Sequence, residues 1–356
     1  MVAKVLLTRE TTMFKHREFY RVLFYRTKIL FLLVLIANLV SCSGSSSDST
    51  QETDDIGLFA NHSVVFEGLT RSYDYYIPNN LGSSPRPLII LLHGGGSRSE
   101  DLTGTSGFKA PYTVWMDIAE EEKLILLYPD GALNSEGGQG WNDCRADTDT
   151  NPTTNDVGFI SALIDEFAMS FDIDINRIYV SGSSNGGLMS LRLAQELSDK
   201  VAAVAPVLGA IPAVNECAAP THPISVLLMN GTSDTRLPYN GGVINAVAGN
   251  RGTILSTQES IEFWIGFNQT NLSPVVQDFE DVNGLDQSTV KSFTYTGGIE
   301  DTEVVLYKIS GGGHVEPSIL EQYSLLLELS LGKQNHDIEM AREVWKFFKD
   351  KKLGIL

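Results

Sequence analysis

The sequence predicts an α/β protein: a mostly parallel sheet with helices on both faces, folded as a single domain. Three observations carry this. Short continuous apolar runs, such as residues 87–92, stop abruptly at turn residues, the profile of strands buried on both faces. Segments with apolar residues at helical spacing alternate with those runs, which calls for crossover helices and parallel strands. From about residue 57 onward no Pro/Ser-rich break divides the chain, and it holds no internal repeat.

In chain order, residues 62–66 and 72–77 read as a hairpin about Glu67-Gly68. The run 87–92 is the first buried strand and ends at His93-Gly94; the run 124–128 repeats the pattern and ends at Pro129-Asp130-Gly131. Phe159, Leu163, Ile164 and Phe167 recur at helical spacing after Asp156, an N-cap type of residue. Residues 177–180 form the next strand, followed by a helix through Leu188, Leu191, Leu193 and Ala194. Strands at 201–207 and 225–229, two late ones at 290–295 and 304–309, and a helix over 338–349 complete the body.

Composition narrows the function. The 356 residues are 42% hydrophobic and 20% charged with only 3 Cys, which excludes collagen-like, disulfide-framework and wholly disordered chains. A net charge of −18 argues against nucleic-acid binding, which needs a basic footprint. The positive charge gathers at the start: residues 1–41 hold seven Lys/Arg against two Asp/Glu, leaving 19 basic and 42 acidic residues, a net −23, in the rest. Lys15, Arg17, Arg21, Arg26 and Lys28 precede an apolar run over 29–40, too short to span a bilayer and matched to a signal-peptide core. It ends Leu39-Val40-Ser41-Cys42, which resembles a bacterial lipobox with Cys42 as the lipidated residue. Residues 1–41 are therefore expected to be a lipoprotein signal peptide, 42–56 a flexible polar tether, and 57–356 the folded domain. An uncleaved anchor is the alternative. Both place the body outside the cytoplasm, as an outer-membrane or cell-surface lipoprotein or a secreted protein, and restrict membrane contact to the anchor. With Cys42 lipidated, Cys144 and Cys217 remain as an even pair; a disulfide and two free buried thiols both fit.

The chemistry centres on Gly182-Ser183-Ser184-Asn185-Gly186, a G-x-S-x-G pattern between a strand and a helix. Such a turn holds a serine in a strained conformation with its hydroxyl exposed, so Ser184 is the candidate nucleophile. The Asn185 N–H, at the helix start, is one candidate oxyanion donor. Leu92-His93-Gly94-Gly95-Gly96 follows a buried strand and supplies the second, with Gly95 preferred and Gly94 next. Of six histidines, His314 follows Gly311-Gly312-Gly313 at the end of the last strand, where sites in such sheets gather, and is the candidate base. Asp234, in Asn230-Gly231-Thr232-Ser233-Asp234 after the strand 225–229, is the candidate acid. No dinucleotide or zinc motif competes, so no cofactor or metal is expected. Asp143, Asp147, Asp149 and Asp156 match no EF-hand spacing and read as a solvated acidic loop.

The chain resembles the polyhydroxybutyrate depolymerase, feruloyl esterase and acetylxylan esterase group of α/β-hydrolases, the first carbohydrate-esterase family. The resemblance runs from about Arg71 to Phe348. It rests on Leu92-His93-Gly94, Tyr128-Pro129-Asp130-Gly131, Trp141-Asn142-Asp143, Asp156 to Ile160, Gly182 to Gly187, Asn230 to Asp234, Pro238 to Gly242, and Gly311 to His314. It implies an α/β-hydrolase fold and a Ser184, Asp234 and His314 triad. The family motif His-x-Trp-Pro-Gly is replaced by His314-Val315-Glu316-Pro317-Ser318, and residues 318–331 form a longer link to the last helix than is usual. Trp141 is expected either as a substrate-binding wall or as an anchor for its loop. The resulting expectation is an exported serine carboxylesterase acting on an ester substrate, polymeric or oligomeric. Feruloyl or acetyl esters of plant polysaccharides lead over polyhydroxybutyrate, because no exposed apolar docking surface is evident in the sequence. The rival of another class is a non-catalytic surface binding protein on a hydrolase scaffold.

Overall fold

The computed structural model describes residues 56–108, 110–245 and 249–354. The leader, Cys42 and the tether up to residue 55 lie outside the described residues. A ten-stranded sheet carries the fold: β1 (Gly57–Phe66), β2 (Leu69–Ile77), β3 (Arg86–Leu92), β4 (Ile125–Pro129), β5 (Ile173–Ser183), β6 (Ala203–Val207), β7 (Ser225–Gly231), β8 (Val275–Asp278), β9 (Thr289–Tyr295) and β10 (Val304–Ser310). Around it lie α1 (Ser99–Thr103), α2 (Val114–Glu122), α3 (Asp156–Ser170), α4 (Asn185–Glu196), α5 (Thr257–Asn268), α6 (Leu325–Leu331) and α7 (Met340–Phe348).

The spatial order is β1-β2-β4-β3-β5-β6-β7-β10-β9-β8. Strands β4, β3, β5, β6, β7 and β10 pair in parallel. The β1–β2 hairpin joins antiparallel to β4, and β9 and β8 extend the other edge antiparallel. A parallel block with an antiparallel second strand and β3 and β4 exchanged is the α/β-hydrolase fold.

Burial on both faces explains the continuous apolar runs. Along β3, Leu88, Ile90 and Leu92 enter one core while Ile89 and Leu91 enter the other, as the two-residue period of a strand requires. The first core is closed by Phe159, Leu163 and Phe167 of α3, Met189 of α4 and Trp264 of α5. The second is closed by Trp115 and Ile118 of α2 and by Val344 and Phe348 of α7. Fully burying each of these side chains contributes about 1.5–3 kcal/mol.

Several elements differ from expectation. Helix α3 begins at Asp156 itself; its N-cap is Asn155, whose side chain accepts the Gly158 N–H at 2.9 Å. Asp156 instead turns inward to Arg71 at 2.8 Å. Helices α2, α5 and α6 and the edge strand β8 carry no expectation from the sequence reading. For α5 a signal existed, since Ser256 and Glu259 form a capping box.

Of the two alternatives for the cysteines, the structure has the disulfide: Cys144 is bonded to Cys217, 73 residues away. It fastens the loop leading into α3 to the segment after β6. Removing it with Cys144→Ser and Cys217→Ser is expected to cost about 4 kcal/mol from the loop-closure entropy of a 73-residue separation. Urea unfolding of the double variant measures this; an unchanged midpoint would show that the bridge contributes nothing to stability.

Candidate active site

Four strand ends converge on one place. Gly94 and Gly95 follow β3, Ser184 follows β5, Asp234 follows β7 and His314 follows β10, all at the carboxyl ends of parallel strands. The sequence-predicted nucleophile, acid and base are brought together.

Ser184 has φ 55° and ψ −119°, a conformation a side chain rarely adopts and one that costs on the order of 1–3 kcal/mol. Its surroundings hold it there. Its N–H donates to Val207 O at 3.0 Å and its carbonyl accepts the Leu188 N–H at 2.9 Å. The turn is too tight for side chains on either flank. A Cβ on Gly182 would lie 2.5 Å from Gly186 O, and a Cβ on Gly186 would lie 2.6 Å from His93 O.

Ser184 Oγ lies 3.0 Å from His314 Nε2, and His314 Nδ1 lies 2.7 Å from Asp234 Oδ2. The other carboxylate oxygen of Asp234 accepts the backbone N–H groups of Arg236 at 2.7 Å and Leu237 at 2.8 Å. Both oxygens are thereby occupied and the carboxylate cannot rotate away. The backbone of His314 is fixed as well, its N–H donating to Leu331 O at 2.6 Å while Gly313 N–H donates to Lys333 O at 2.8 Å.

The predicted oxyanion donors flank the serine. Gly94 and Gly95 lie beside it at ordinary van der Waals range: a Cβ on Gly94 would come to 3.6 Å from Ser184 Cβ and one on Gly95 to 3.6 Å from Asn185 Cβ. Asn185 N–H is in the first turn of α4, where no intrahelical acceptor exists. Its side chain is immobilised: Oδ1 accepts the Trp141 N–H at 2.7 Å, and Nδ2 donates to Trp141 O at 3.1 Å and Asp143 Oδ2 at 2.6 Å.

Trp141 is not a substrate wall. The side chain is wholly buried, its indole N–H donates to His93 O at 2.9 Å, and its ring packs in the core. It anchors the loop, so the substrate-binding reading of Trp141 is corrected to the structural one. His93, also wholly buried, completes the same web. Gly131 N–H donates to His93 Nε2 at 2.9 Å, so the ring proton sits on Nδ1 and donates to Gly94 O at 2.7 Å. Burial holds the imidazole below its ordinary value, in the neutral form that these two bonds need.

The acidic loop is paired, and only Asp149 of the four carboxylates is exposed as a solvated loop would be. Asp143 is buried and takes Arg145 at 2.7 Å and Asn151 at 2.6 Å; Asp147 accepts the Thr253 hydroxyl at 2.6 Å; Asp149 accepts the Asn250 N–H at 3.1 Å. Burial raises the Asp156 carboxyl above the usual range even though Arg71 opposes this.

A cavity of about 490 Å³ opens over Ser184 and His314. Its lining includes Phe108, Tyr112, Glu316, Tyr323, Leu327 and Leu331, together with Glu136, Arg145, Arg236, Ile244 and Arg251. The Tyr323 hydroxyl donates to Glu316 Oε2 at 2.6 Å, and Phe108 stacks on Tyr323 with centroids 5.6 Å apart. Burial, and then the Glu316 carboxylate, push the Tyr323 phenol well above its ordinary value, so it remains a donor. Aromatic rings therefore line the wall beside Glu316 despite the departure from the family motif. The sequence reading missed all of these wall residues except Glu316, because they come from segments with no motif. It also missed an exposed apolar stretch beside the cavity: Ile319, Leu320, Leu325, Leu326 and Leu329 are 48%, 59%, 65%, 79% and 77% exposed. The absence of an apolar docking surface, expected from the sequence, is thereby overturned.

The chain is similar to known esterases. It is 34% identical over 181 residues to the putative esterase NocK of Nocardia uniformis subsp. tsuyamanensis, covering 50% of this chain and 49% of that protein. It is 30% identical over 242 residues to feruloyl esterase B of Piromyces equi, covering 66% and 40%. To poly(3-hydroxyalkanoate) depolymerase C of Paucimonas lemoignei it is 22% identical over 308 residues, covering 82% and 67%. The chain thus spans about half or less of the length of the first curated relatives it matches. No family model matches it.

A pH dependence follows from His93. Its folded-state value lies below the ordinary 6.5, so above that pH it contributes no pH dependence. As pH falls through 6.5 the unfolded chain takes up a proton that the folded one refuses, and stability is lost. Between pH 7.5 and 5.5 the thermal midpoint of the wild type is expected to drop further than that of His93→Gln. Equal drops would remove His93 as the cause.

Proposed function

We propose that this protein is an exported serine carboxylic-ester hydrolase that works through an acyl-enzyme. The observation that carries the reading is the unbroken hydrogen-bond chain from Asp234 through His314 to a strained Ser184. His314 Nε2 takes the Ser184 proton as Oγ attacks the ester carbonyl, while Asp234 holds the Nδ1–H and stabilises the imidazolium. The tetrahedral oxyanion is held by the N–H groups of Gly95 and Asn185. His314 then gives its proton to the departing alcohol, and the ester C–O bond breaks. Water, deprotonated by His314, attacks the acyl-enzyme; the acid leaves and Ser184 regains its proton.

The similarity to feruloyl esterases and to a poly(3-hydroxyalkanoate) depolymerase supports an ester substrate carried on a polymer. Acyl esters of plant polysaccharides are one reading. Aliphatic polyester is the second, favoured by the exposed leucines beside the cavity. Export rests on the leader, with Cys42 as the lipidation site; among the described residues no helix is long and apolar enough to cross a membrane.

The test follows acid release from methyl ferulate, acetylated xylan and 3-hydroxybutyrate oligomers by wild type and Ser184→Ala. The substitution is expected to lower kcat by roughly 10⁴–10⁶ on whichever substrate is turned over. Equally negligible release by both proteins, also from an activated acetate ester, would sink the hydrolase reading in favour of a binding protein on this scaffold.

A further inference from the structure

Of the nine arginines among the described residues, eight have a partner for the guanidinium. In seven it is a carboxylate, and Arg86 donates to the Leu81 and Gly82 carbonyls. Arg236 is the exception. Its guanidinium has no ion pair and no hydrogen bond among the described residues, and it is half-buried in the lining of the catalytic cavity.

The root of this side chain is fixed relative to the reacting groups. The Arg236 N–H donates to Asp234 Oδ1 at 2.7 Å, and its carbonyl accepts the Asn245 N–H at 2.9 Å. Asp234 is no counter-ion for the guanidinium, because its oxygens already serve His314 and two backbone N–H groups. The other charges lining the cavity are used as well. Arg251 pairs with Glu136, and Arg145 with the buried Asp143 at 2.7 Å. Asp101 accepts the Ser97 hydroxyl at 2.6 Å, and Glu316 accepts that of Tyr323. In a chain that stands at −23 beyond residue 41, carboxylates are plentiful, yet this one cation is left without any. A cation drawn partly out of water with no partner is unfavourable for the free protein, and a ligand that brings the counter-charge offsets that cost.

We propose that Arg236 pairs with a carboxylate of the substrate, so that the preferred ester is one that also carries an acid group. A guanidinium is permanently charged, and its planar fork matches a carboxylate through two parallel hydrogen bonds. One unpaired guanidinium suits one negative charge. A phosphoryl group brings about two charges and would call for a second cation, whereas Arg145 and Arg251 are already taken. Such an acid group stands on the uronic-acid units of an acylated polysaccharide and at the free end of a hydroxyalkanoate oligoester. For turnover, though not for binding, the inference rests on the ester-hydrolase reading.

Each source is tested against a neutral twin. The 3-hydroxybutyrate dimer is compared with its carboxamide, and acetylated galacturonate with its carboxamide, by release of 3-hydroxybutyrate or acetate. Wild type is expected to favour the acid over the amide in one of the two pairs, which identifies the source. Arg236→Gln is expected to lower that acid-to-amide ratio of kcat/KM by about tenfold or more, through KM. Arg236→Lys, which keeps the charge and loses the fork, is expected to retain part of the preference. Equal rates on acid and amide in both pairs would overturn the proposal. So would a preference that Arg236→Gln leaves intact, or a variant that loses acid and amide alike, the mark of a purely structural role. Binding is read separately by calorimetry with Ser184→Ala protein, which leaves the ester intact. Binding of either acid, weakened tenfold or more by adding Arg236→Gln, together with no hydrolysis of any ester by wild type, would retain the carboxylate site and discard the hydrolase. Binding of neither acid would overturn the site itself.

Discussion

The site depends on one close approach of backbones. Gly186, in the first turn of α4, packs against the carbonyl oxygens of Leu92 and His93 at the end of β3, with no room for a Cβ between them. That contact decides how near the start of α4 comes to the loop after β3. It therefore sets the separation of Ser184 and Asn185 from Gly94 and Gly95. A side chain at Gly186 would push α4 off the sheet and pull the two predicted oxyanion donors apart, even with every catalytic side chain present. Geometric tolerance is small for this chemistry, because donors must sit within hydrogen-bond distance of an oxygen that exists only in the transition state. The strained Ser184 persists because this packing over-determines it.

A web of buried polar groups keeps the approach from relaxing. His93 links Gly131 to Gly94, Trp141 links His93 to the following loop, and Asn185 links that loop to Asp143. Asp143 ends the chain in Arg145, and the disulfide at Cys144 pins the segment between them. Each group is satisfied, so the low dielectric of the interior strengthens the bonds instead of penalising them. Removing any one member would leave its partner unpaired in an apolar surrounding, at a cost of about 1–3 kcal/mol. The same logic explains why Trp141 is wholly inside. Its indole is one of the links, and a ring spent on the core has no face left for substrate.

The sheet and the three residues of the hydrogen-bonded chain were legible because their constraints are local. A strand buried on both faces must be apolar throughout, and a nucleophile turn must have glycines two residues either side. Ser184, Asp234 and His314 each follow such a strand at its carboxyl end, so their order along the chain placed them together. The cavity walls were not legible. Tyr112 and Tyr323 meet Glu316 only because a loop before α2 and the link before α6 fold over the same strand end, and no spacing along the chain encodes that. Asp143 and Asp156 read as solvated because their partners Arg145 and Arg71 are visible as partners only in three dimensions.

The stretch Leu325-Leu326-Leu327-Glu328-Leu329 was illegible for another reason. A seven-residue helix is too short for its periodicity to tell an amphipathic pattern from a wholly apolar one. Seen folded, the five leucines of α6 divide into two inside the cavity and three outside, an arrangement that serves no core. Leaving three large apolar side chains in water gains nothing for the stability of the monomer, and the bonds from Glu339 and Gln334 hold the segment where it is. An acidic body keeps the molecule soluble and repels its own copies. The exposed leucines of α6 adjoin Leu327 and Leu331, which line the cavity over the reacting groups.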